Sequence, residues 1–575
     1  MYTVGVLGGG QLGRMLGEAA SRLNIRLVVL DEGDSPAKQI LAHDAHIDGS
    51  FQDASKIAEL ASKVDAMTIE IEHVNVNALD AVPPSVPVHP SPRTIRIIQD
   101  KFLQKRHFRE AGCPLGEFIA VDSTVSAIKE AARVLGLPLM LKARTLAYDG
   151  RGNYVLRSAD DTAIQTAISA LGGCPLYAEK WVPFVSEIAV MVVRSRDGEV
   201  CAYPAVETVH KKNICHLVFA PLRNFAFNAT STSEIAVKAQ KVAADAVSHL
   251  WGAGVFGVEL FLLPDGDVLI NEVAPRPHNS GHYTIEACYT SQYENHLRAV
   301  LGLPLGTTEL KVGAAAMVNL LGFNDSMKPI EHLVGMSLSV PGATTHLYGK
   351  STCRKGRKMG HITVVGPHDA AVRERVSVIL RAMEKIEAEV LGAVTPQILA
   401  PKTRSHPHPL VGVIMGSDSD LAVMRDAAHI LDRFKVPYEL TIVSAHRTPD
   451  RLTNYARSAV SRGLRVIISG AGGAAHLSGM VAAMTPLPVI GVPVKGSRLD
   501  GVDSLYSMVQ MPRGVPVATV AINNSTNAGL LAVRILSTGI LQLGVDMETY
   551  MRDMERQVME KVGRLEEIGW DAYIA

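Results

Sequence analysis

Val255 to His282, VFGVELFLLPDGDVLINEVAPRPHNSGH, decides how the rest of the chain is read. Two runs rich in Val, Leu, Ile and Phe flank Asp265-Gly266, a pair that favours two-residue hairpin turns. With Asp265 and Gly266 as the turn, Pro264 faces Asp267, and counting back along both strands sets Glu259 opposite Glu272. Directly opposed side chains have Cβ atoms roughly 4.5–5.5 Å apart, and like charges there repel unless a cation stands between them. Mg2+ suits that place, because it prefers oxygen ligands, takes one or two protein carboxylates and completes its shell with water and substrate phosphates. Spacing alone fits a solvent-facing hairpin edge equally well. Arg276, His278, Asn279 and His282, which follow at once, are anion-binding chemistry and favour a site.

The surrounding chain has 575 residues, too many for one hydrophobic core and enough for three or four domains. Apolar residues make up 47% and charged residues 20%, the balance of a folded globular protein. Lys plus Arg and Asp plus Glu both number 57, so no bulk field draws the chain to nucleic acid or membrane. No apolar run approaches the roughly 18 residues of a transmembrane helix, and the N-terminus lacks the pattern of a signal peptide. These features predict a cytoplasmic protein. Its six cysteines lack a C-x-x-C pair, so neither a zinc site nor a disulfide framework is expected.

Upstream, the strand-like TVGVL runs into Gly8-Gly9-Gly10-Gln11-Leu12-Gly13 and then a helical pattern, with Asp31 closing the next strand. This is G-x-G-x-x-G in its strand-to-helix context. Glycines let the backbone approach a ligand, and a helix N-terminus attracts an anion. A nucleoside monophosphate or sugar phosphate satisfies the pattern as well as NAD does, and so does a tight turn without a ligand. The strand AMTIEIE is expected to reach Glu72-His73, and a Pro-rich stretch closes a first unit of residues 1–93.

Residues 94–304 form the next unit. It is expected to hold a single helix over TIRIIQDKFLQKRHFREA, a strand carrying Lys142, and a polar loop from Arg144 to Gly152 suited to closing over nucleotide phosphates. The strand PLYAEKWV ends in Glu179-Lys180-Trp181-Val182, where backbone groups could meet an adenine edge, and Glu187 lies on the strand after it. A second Asp-Gly hairpin falls at Asp197-Gly198. Residues 305–392 read as a further small domain with a basic hairpin between Tyr348 and His361, and 393–409 as a Pro-rich linker.

This order of parts resembles the ATP-grasp superfamily, and more closely the N5-carboxyaminoimidazole ribonucleotide synthetases, through GVLGGGQLGRM, YDGRG, EKWVPFVSE and NEVAPRPHNSGH. The resemblance covers about residues 1–390. It implies ATP contacts at Lys101, Lys142, Tyr148, Asp149, Gly150, Arg151, Gly152, Glu179, Lys180, Trp181, Val182, Glu187, Asn271 and Glu272, and Mg2+ on Glu259 and Glu272. It further implies ribonucleotide or bicarbonate contacts at Gly10, Gln11, Leu12, Glu72, His278, Asn279, Lys350, Arg357 and Lys358, with Arg276 catalytic. Two departures stand out: Leu146-Ala147 where the family has glycines in the phosphate loop, and Ala274 where many ATP-grasp enzymes carry a metal-binding Asn.

Beyond the linker, residues 410–575 repeat strand, loop and helix through LVGVIM, ELTIVS, RVIIS, LPVIGVPV and PVATVAI, which predicts a doubly wound parallel sheet of flavodoxin-like type. Ligands of such sheets bind beyond the carboxyl ends of the strands, and GSDSD, SAHRTP and GAGGAAH all fall there. Arg447 can chelate phosphate, and His446 can move a proton in either direction near neutrality. MGSDSD, SAHRTP, GAGGAAHLSGM and DSLYSMVQMPRGVPVAT resemble the N5-carboxyaminoimidazole ribonucleotide mutases, with Ser478 in place of a common proline. That resemblance implies His446 and His476 as catalytic residues, and Ser417, Ser419, Asp420, Ser444, Arg447, Gly472 and Gly473 as substrate contacts.

The fold class expected is therefore α/β, a three-part ATP-grasp module followed by a flavodoxin-like domain, in the order of the fungal-type carboxylase family of purine synthesis. The resemblance implies ATP and Mg2+ use, bicarbonate and aminoimidazole ribonucleotide as small-molecule substrates, and homo-oligomers through the C-terminal domain, with an octamer as the candidate size. Two other classes compete. An NAD-dependent oxidoreductase would explain Gly8 to Gly13 but leaves the Glu259/Glu272 hairpin idle. A non-enzymatic assembly scaffold would explain the C-terminal domain but not His446 and Arg447 beside a glycine loop.

Overall fold

The computed structural model describes residues 2–145, 152–211, 214–222, 232–390, 405–406, 409–460, 462–496 and 499–574. The chain divides into two compact units, Met1–Thr395 and Pro396–Ala575. Among the described residues, no helix is long and apolar enough to cross a membrane.

The first unit opens with a four-stranded parallel sheet in the order Ile47–Asp48, Arg26–Asp31, Thr3–Leu7 and Ala66–Ile69. Its inner strands, Thr3–Leu7 and Arg26–Asp31, are buried on both faces over their central residues, as continuous apolar runs in parallel sheets must be. The expected strand to His73 stops at Ile69. Glu70 N–H makes the last ladder bond, to the Leu7 carbonyl at 3.1 Å, and its carboxylate turns back into the glycine loop. The single helix expected from Thr94 is two, Pro92–Gln99 and Lys101–Glu110. Asp100 breaks it by adopting an extended backbone and accepting hydrogen bonds from the Phe102 and Leu103 N–H groups as an N-cap.

A small antiparallel sheet follows, ordered Phe118–Val121, Leu176–Lys180, Leu139–Ala143 and Asn153–Leu156. The carboxylate hairpin, Gly254–Leu262 with Val268–Ala274, sits at one edge of a separate nine-stranded sheet. That sheet continues through Ser186–Arg194, Val206–Lys211 and Ile214–Ala220 into Ala314–Leu321, Lys358–Gly366 and Ala343–Leu347. The strands of 305–392 therefore extend the sheet of the preceding segment, covering what would otherwise be an open edge at Ile214–Ala220. The helix Thr232–Ser248 lays Ile235, Ala239 and Ala243 on Val190, Val192, Phe256 and Val258, which stiffens the strands that carry the carboxylates.

The second unit is a five-stranded sheet of parallel pairs in the order Tyr438–Ile442, Val411–Met415, Val466–Gly472, Val489–Val494 and Ala518–Thr519. This 2-1-3-4-5 order is that of flavodoxin-like folds. The last strand is shorter than PVATVAI suggested. Within the stretch expected to be linker, Ser405 and His406 dock on this sheet: the Ser405 Oγ accepts from Leu440 N–H, and His406 N–H donates to the Tyr438 carbonyl. A long final helical stretch spans Leu541–Ile574 and is kinked at Gly569, whose φ is +75°.

Candidate functional site

Glu259 and Glu272 are register partners, as the hairpin count predicts, but the joining loop differs. Leu263 N–H donates to the Asp267 carbonyl, so the loop is the three residues Pro264-Asp265-Gly266, with Gly266 at φ +86°. That pairing would set Glu259 against Asn271. A bulge after Leu260↔Ile270 inserts Asn271 as an extra residue and restores the Glu259↔Glu272 pair. Ile270 and Val273 are buried in the core while Asn271 and Glu272 lie together on the half-buried face, so the bulge adds a polar side chain beside the carboxylate.

Three lysines converge on this face. Lys101, first residue of its helix because Asp100 breaks the chain there, puts Nζ 2.8 Å from Glu272 Oε2. Lys142 reaches Glu179 Oε2 at 3.0 Å and donates to Asn271 Oδ1 at 3.3 Å. Lys105, one helical turn beyond Lys101, lies 3.2 Å from Glu179 Oε1 and donates to the Ile270 carbonyl at 3.3 Å. Burial opposes charge on Glu179, but Lys105 and Lys142 outweigh it and hold the carboxyl down to about 2. The sequence reading missed Lys105. Its signal was the i, i+4 spacing from Lys101, which puts both on one helix face.

Arg276 forks onto Glu72, with Nε donating to Oε2 at 2.7 Å and Nη2 to Oε1 at 3.3 Å. Burial opposes the Glu72 charge, yet Arg276 keeps its carboxyl well below the usual range. His278 Nε2 is 3.4 Å from Glu259, and burial followed by the Arg276 charge pulls its imidazole down to about 3. Glu187 pairs with His210, a residue the sequence reading passed over. Two expected contacts point elsewhere. The Asn279 and Asn319 amides hydrogen-bond each other at 2.9 and 2.6 Å inside the core, and His282 is fully buried against Tyr293 and His361. Both follow the tight turn at Asn279–Gly281 inward.

The glycine loop is filled from within. Glu70 accepts from the N–H groups of Gly10 and Gly13, the latter at 2.5 Å, and Asp31 Oδ2 accepts from Gly9 N–H at 2.8 Å. A Cβ on Gly8 would lie 2.6 Å from Glu70 Cγ. The helix N-terminus that would attract a pyrophosphate already holds a carboxylate, and Asp31, which a ribose would need, is turned onto the same loop. The glycines serve close packing here, against the NAD reading. Leu12 is buried in the core, whereas Gln11 Oε1 accepts from Lys350 Nζ at 2.8 Å, joining this loop to the basic hairpin. Lys350 also donates to the Lys358 carbonyl at 2.7 Å, and Arg357 bonds Thr352.

Among the remaining expected ATP contacts, Tyr148, Asp149, Gly150 and Arg151 lie outside the described residues, as do Leu146 and Ala147. Gly152 accepts from Ala143 N–H at 2.7 Å. Lys180 points away from Glu179, as strand alternation requires, and pairs with Glu117. Trp181 is exposed, and Val182 packs on Gly116.

A divalent metal fits Glu259 and Glu272. Both are hard oxygen donors on one face, and burial followed by the neighbouring Glu272 charge raises the Glu259 carboxyl, an imbalance that a cation corrects. Ala274, paired with Gly257, adds no ligand.

In the second unit, the polar loops meet where the strand order reverses beside Val411–Met415. They line a cavity of about 470 Å3 with Gly416, Ser417, Ser419, Asp420, Ser444, His446, Arg447, Gly472 and His476, together with Lys495. Ser417 and Asp420 cap each other across a short turn, which fixes the first loop. Arg447 donates to Ser444 Oγ at 3.2 Å and to the Gly416 carbonyl at 3.0 Å, and His446 Nε2 lies 2.9 Å from His476 Nδ1 with the rings edge to face. Gly473 does not line the cavity, although Gly472 and Ala474 do, and its N–H donates to Ser504 Oγ at 2.8 Å; Ser478 is buried with its hydroxyl on Ser469. Lys495 was not anticipated. It follows a strand end with no motif around it.

These two sites belong to an ATP-grasp module and an AIR carboxylase module on one chain. Residues 1–99 match the ribonucleotide synthetase preATP-grasp domain, 106–293 the ATP-grasp domain, 315–375 the phosphoribosylaminoimidazole carboxylase C-terminal domain, and 410–557 AIR carboxylase. The phosphoribosylaminoimidazole carboxylase of Schizosaccharomyces pombe is 56% identical over 100% of this chain and 99% of its own length. The chain belongs to the phosphoribosylaminoimidazole carboxylase family. The carboxyaminoimidazole ribonucleotide synthase of Aspergillus clavatus complexed with ATP is 47% identical with a TM-score of 0.63, covering 67% of this chain and 99% of that one. The same organism's enzyme in complex with ADP and 5-aminoimidazole ribonucleotide is 46% identical with a TM-score of 0.62, over 67% and 99%.

Proposed function

We propose that this chain carries out two consecutive steps of purine biosynthesis: ATP- and bicarbonate-dependent carboxylation of 5-aminoimidazole ribonucleotide at N5, then migration of the carboxyl group to C4. Residues 1–93, 94–304 and 305–392 act together as the synthetase, and 410–575 as the mutase. The observation that carries this reading is the convergence of Lys101, Lys142 and Asn271 on the face of the Glu259/Glu272 pair.

In the synthetase, Lys101 and Lys142 orient the ATP phosphates and offset charge as the γ-phosphoryl group passes to bicarbonate, giving carboxyphosphate. Glu259 and Glu272 hold Mg2+, which supplies further neutralisation of the phosphates when bound. Arg276, fixed by Glu72, faces the carboxyphosphate, and the substrate's exocyclic amine takes the carboxyl group. Lys350, Arg357 and Lys358 take the ribonucleotide phosphate, with Gln11 setting Lys350. Glu70 excludes a phosphate from the glycine loop itself.

In the mutase, Ser417, Asp420 and Arg447 hold the ribonucleotide. His446 gives a proton to N5 as carbon dioxide departs, C4 recaptures the carbon dioxide, and His446 takes the C4 proton, leaving no net change in protons. His476, in hydrogen-bond contact with His446, orients its ring.

The exposed Val545, Met551, Met554 and Val558 on the last helix support assembly of copies through the C-terminal domain, an octamer being the candidate size. The cytoplasm is the proposed location. The deciding experiment is ADP formation by the purified chain. It should require both bicarbonate and aminoimidazole ribonucleotide, and ADP release independent of either would overturn the reading.

A further inference from the structure

We propose that Lys105 is a positioning residue of the nucleotide site, the standing counter-ion of Glu179 that allows Lys142 to turn from that carboxylate to a phosphate. This rests on the reading of the first unit as an ATP site. Glu179 is a buried carboxylate with an ammonium on each oxygen, Lys105 on Oε1 and Lys142 on Oε2. The two lysines are not equivalent. Lys105 is 4% exposed and is held from the side, because its helix runs along the open edge of Val268–Ala274, where Gln104 bonds the Val273 N–H and carbonyl, and its own Nζ donates to the Ile270 carbonyl. Lys142 stands on the strand Leu139–Ala143, and its second acceptor is the neutral Asn271 amide, which offers little resistance to departure.

A buried carboxylate stripped of its cation is strongly destabilised. If Lys142 were the sole partner of Glu179, a phosphate would have to compete with that carboxylate for the lysine. With Lys105 in place, Glu179 stays compensated while Lys142 swings. The bulge serves the same arrangement, since Ile270 and Asn271, adjacent in the chain, each accept from one of the two lysines.

The test is ADP binding to the full chain in the presence of Mg2+, by calorimetry, with thermal unfolding as a check on folding. Lys105→Met should weaken ADP binding about 10-fold or more while Lys105→Arg, which keeps the charge, stays within about 3-fold of wild type. In a Glu179→Gln background the same Lys105→Met change should alter affinity less than about 2-fold, because no carboxylate then competes for Lys142. Wild-type affinity in the Lys105→Met protein would overturn the proposal, as would an equal loss with and without Glu179. If Lys105→Met alone does not fold, the comparison within the Glu179→Gln background decides in the same way. Failure of the wild-type chain to bind ADP would instead overturn the ATP reading itself.

Discussion

Glu259 stands directly opposite Glu272 because Asn271 is bulged out of the strand between Ile270 and Glu272. Without that residue the alternation of the strand would still put Glu272 on the open face, so the bulge leaves the carboxylate pair in place and adds an amide within 3.3 Å of Lys142. Deleting Asn271 should therefore give a folded protein that retains the carboxylate pair but forms ADP about 10-fold to 100-fold more slowly. Glu272→Gln should abolish bicarbonate-dependent ADP formation and leave carboxyl migration intact. Full ADP formation in Glu272→Gln would show that the pair does no work in the synthetase.

Glu70 closes the glycine loop by accepting two backbone N–H groups. Glu70→Ala orphans both donors and should cost the first unit on the order of 2 kcal/mol, seen as a lower urea midpoint. A cofactor difference spectrum should show no NAD binding to the wild-type chain.

The acid limb of stability should carry the signature of Glu179. Its carboxyl is held down to about 2 in the folded chain against an ordinary 4.5, so the unfolded chain binds the proton first. The stabilisation is complete above the ordinary value and is lost as pH falls from there towards 2, on the order of 3 kcal/mol in all. Urea midpoints of the first unit over that window should fall less steeply in Glu179→Gln than in wild type. Parallel slopes would contradict the assignment.

His446→Asn should bind the ribonucleotide but lose migration, since an amide hydrogen-bonds and does not exchange a proton near neutrality. Synthetase turnover would continue, with its carbamate decaying back to the starting ribonucleotide. Single-turnover migration with saturating carbamate checks this, and a near-normal rate would remove His446 from the acid–base role.

Splitting the chain at the division between the units, after Thr395, should yield two soluble fragments, each with its own half-reaction, because each unit holds its own core. Insolubility of both would show that the halves depend on a shared core.

Much of this site was legible in short stretches of sequence. The apolar runs around Asp265-Gly266 determined a hairpin, counting along it set two glutamates opposite each other, and strand–loop–helix repeats with polar loops at the strand ends determined a doubly wound sheet and the location of its pocket. These are local patterns, in which residues a few positions apart are held together by backbone geometry. Two local rules failed where a side chain captured backbone groups instead. Asp100 split a helix that its apolar periodicity would have continued, and Asp265 Oδ1 accepts from Asp267 N–H at 2.9 Å in a loop that took a third residue, which the bulge at Asn271 then offset.

What only the tertiary structure decided is which charges meet. Glu70 reaches Gly10 and Gly13 across about 60 positions, Arg276 reaches Glu72 across about 200, and Lys105 and Lys142 close on Glu179 from a helix and a neighbouring strand. Glycines at a helix start bind a phosphate or an internal carboxylate by the same physics, and only the packing of Ala66–Ile69 beside Thr3–Leu7 made Glu70 the occupant. A lysine on a helix is a solvated charge or a buried counter-ion according to what packs over it. For Lys105 that cover is the hairpin which the sequence had already marked, brought there by strand pairing that no short window of residues contains.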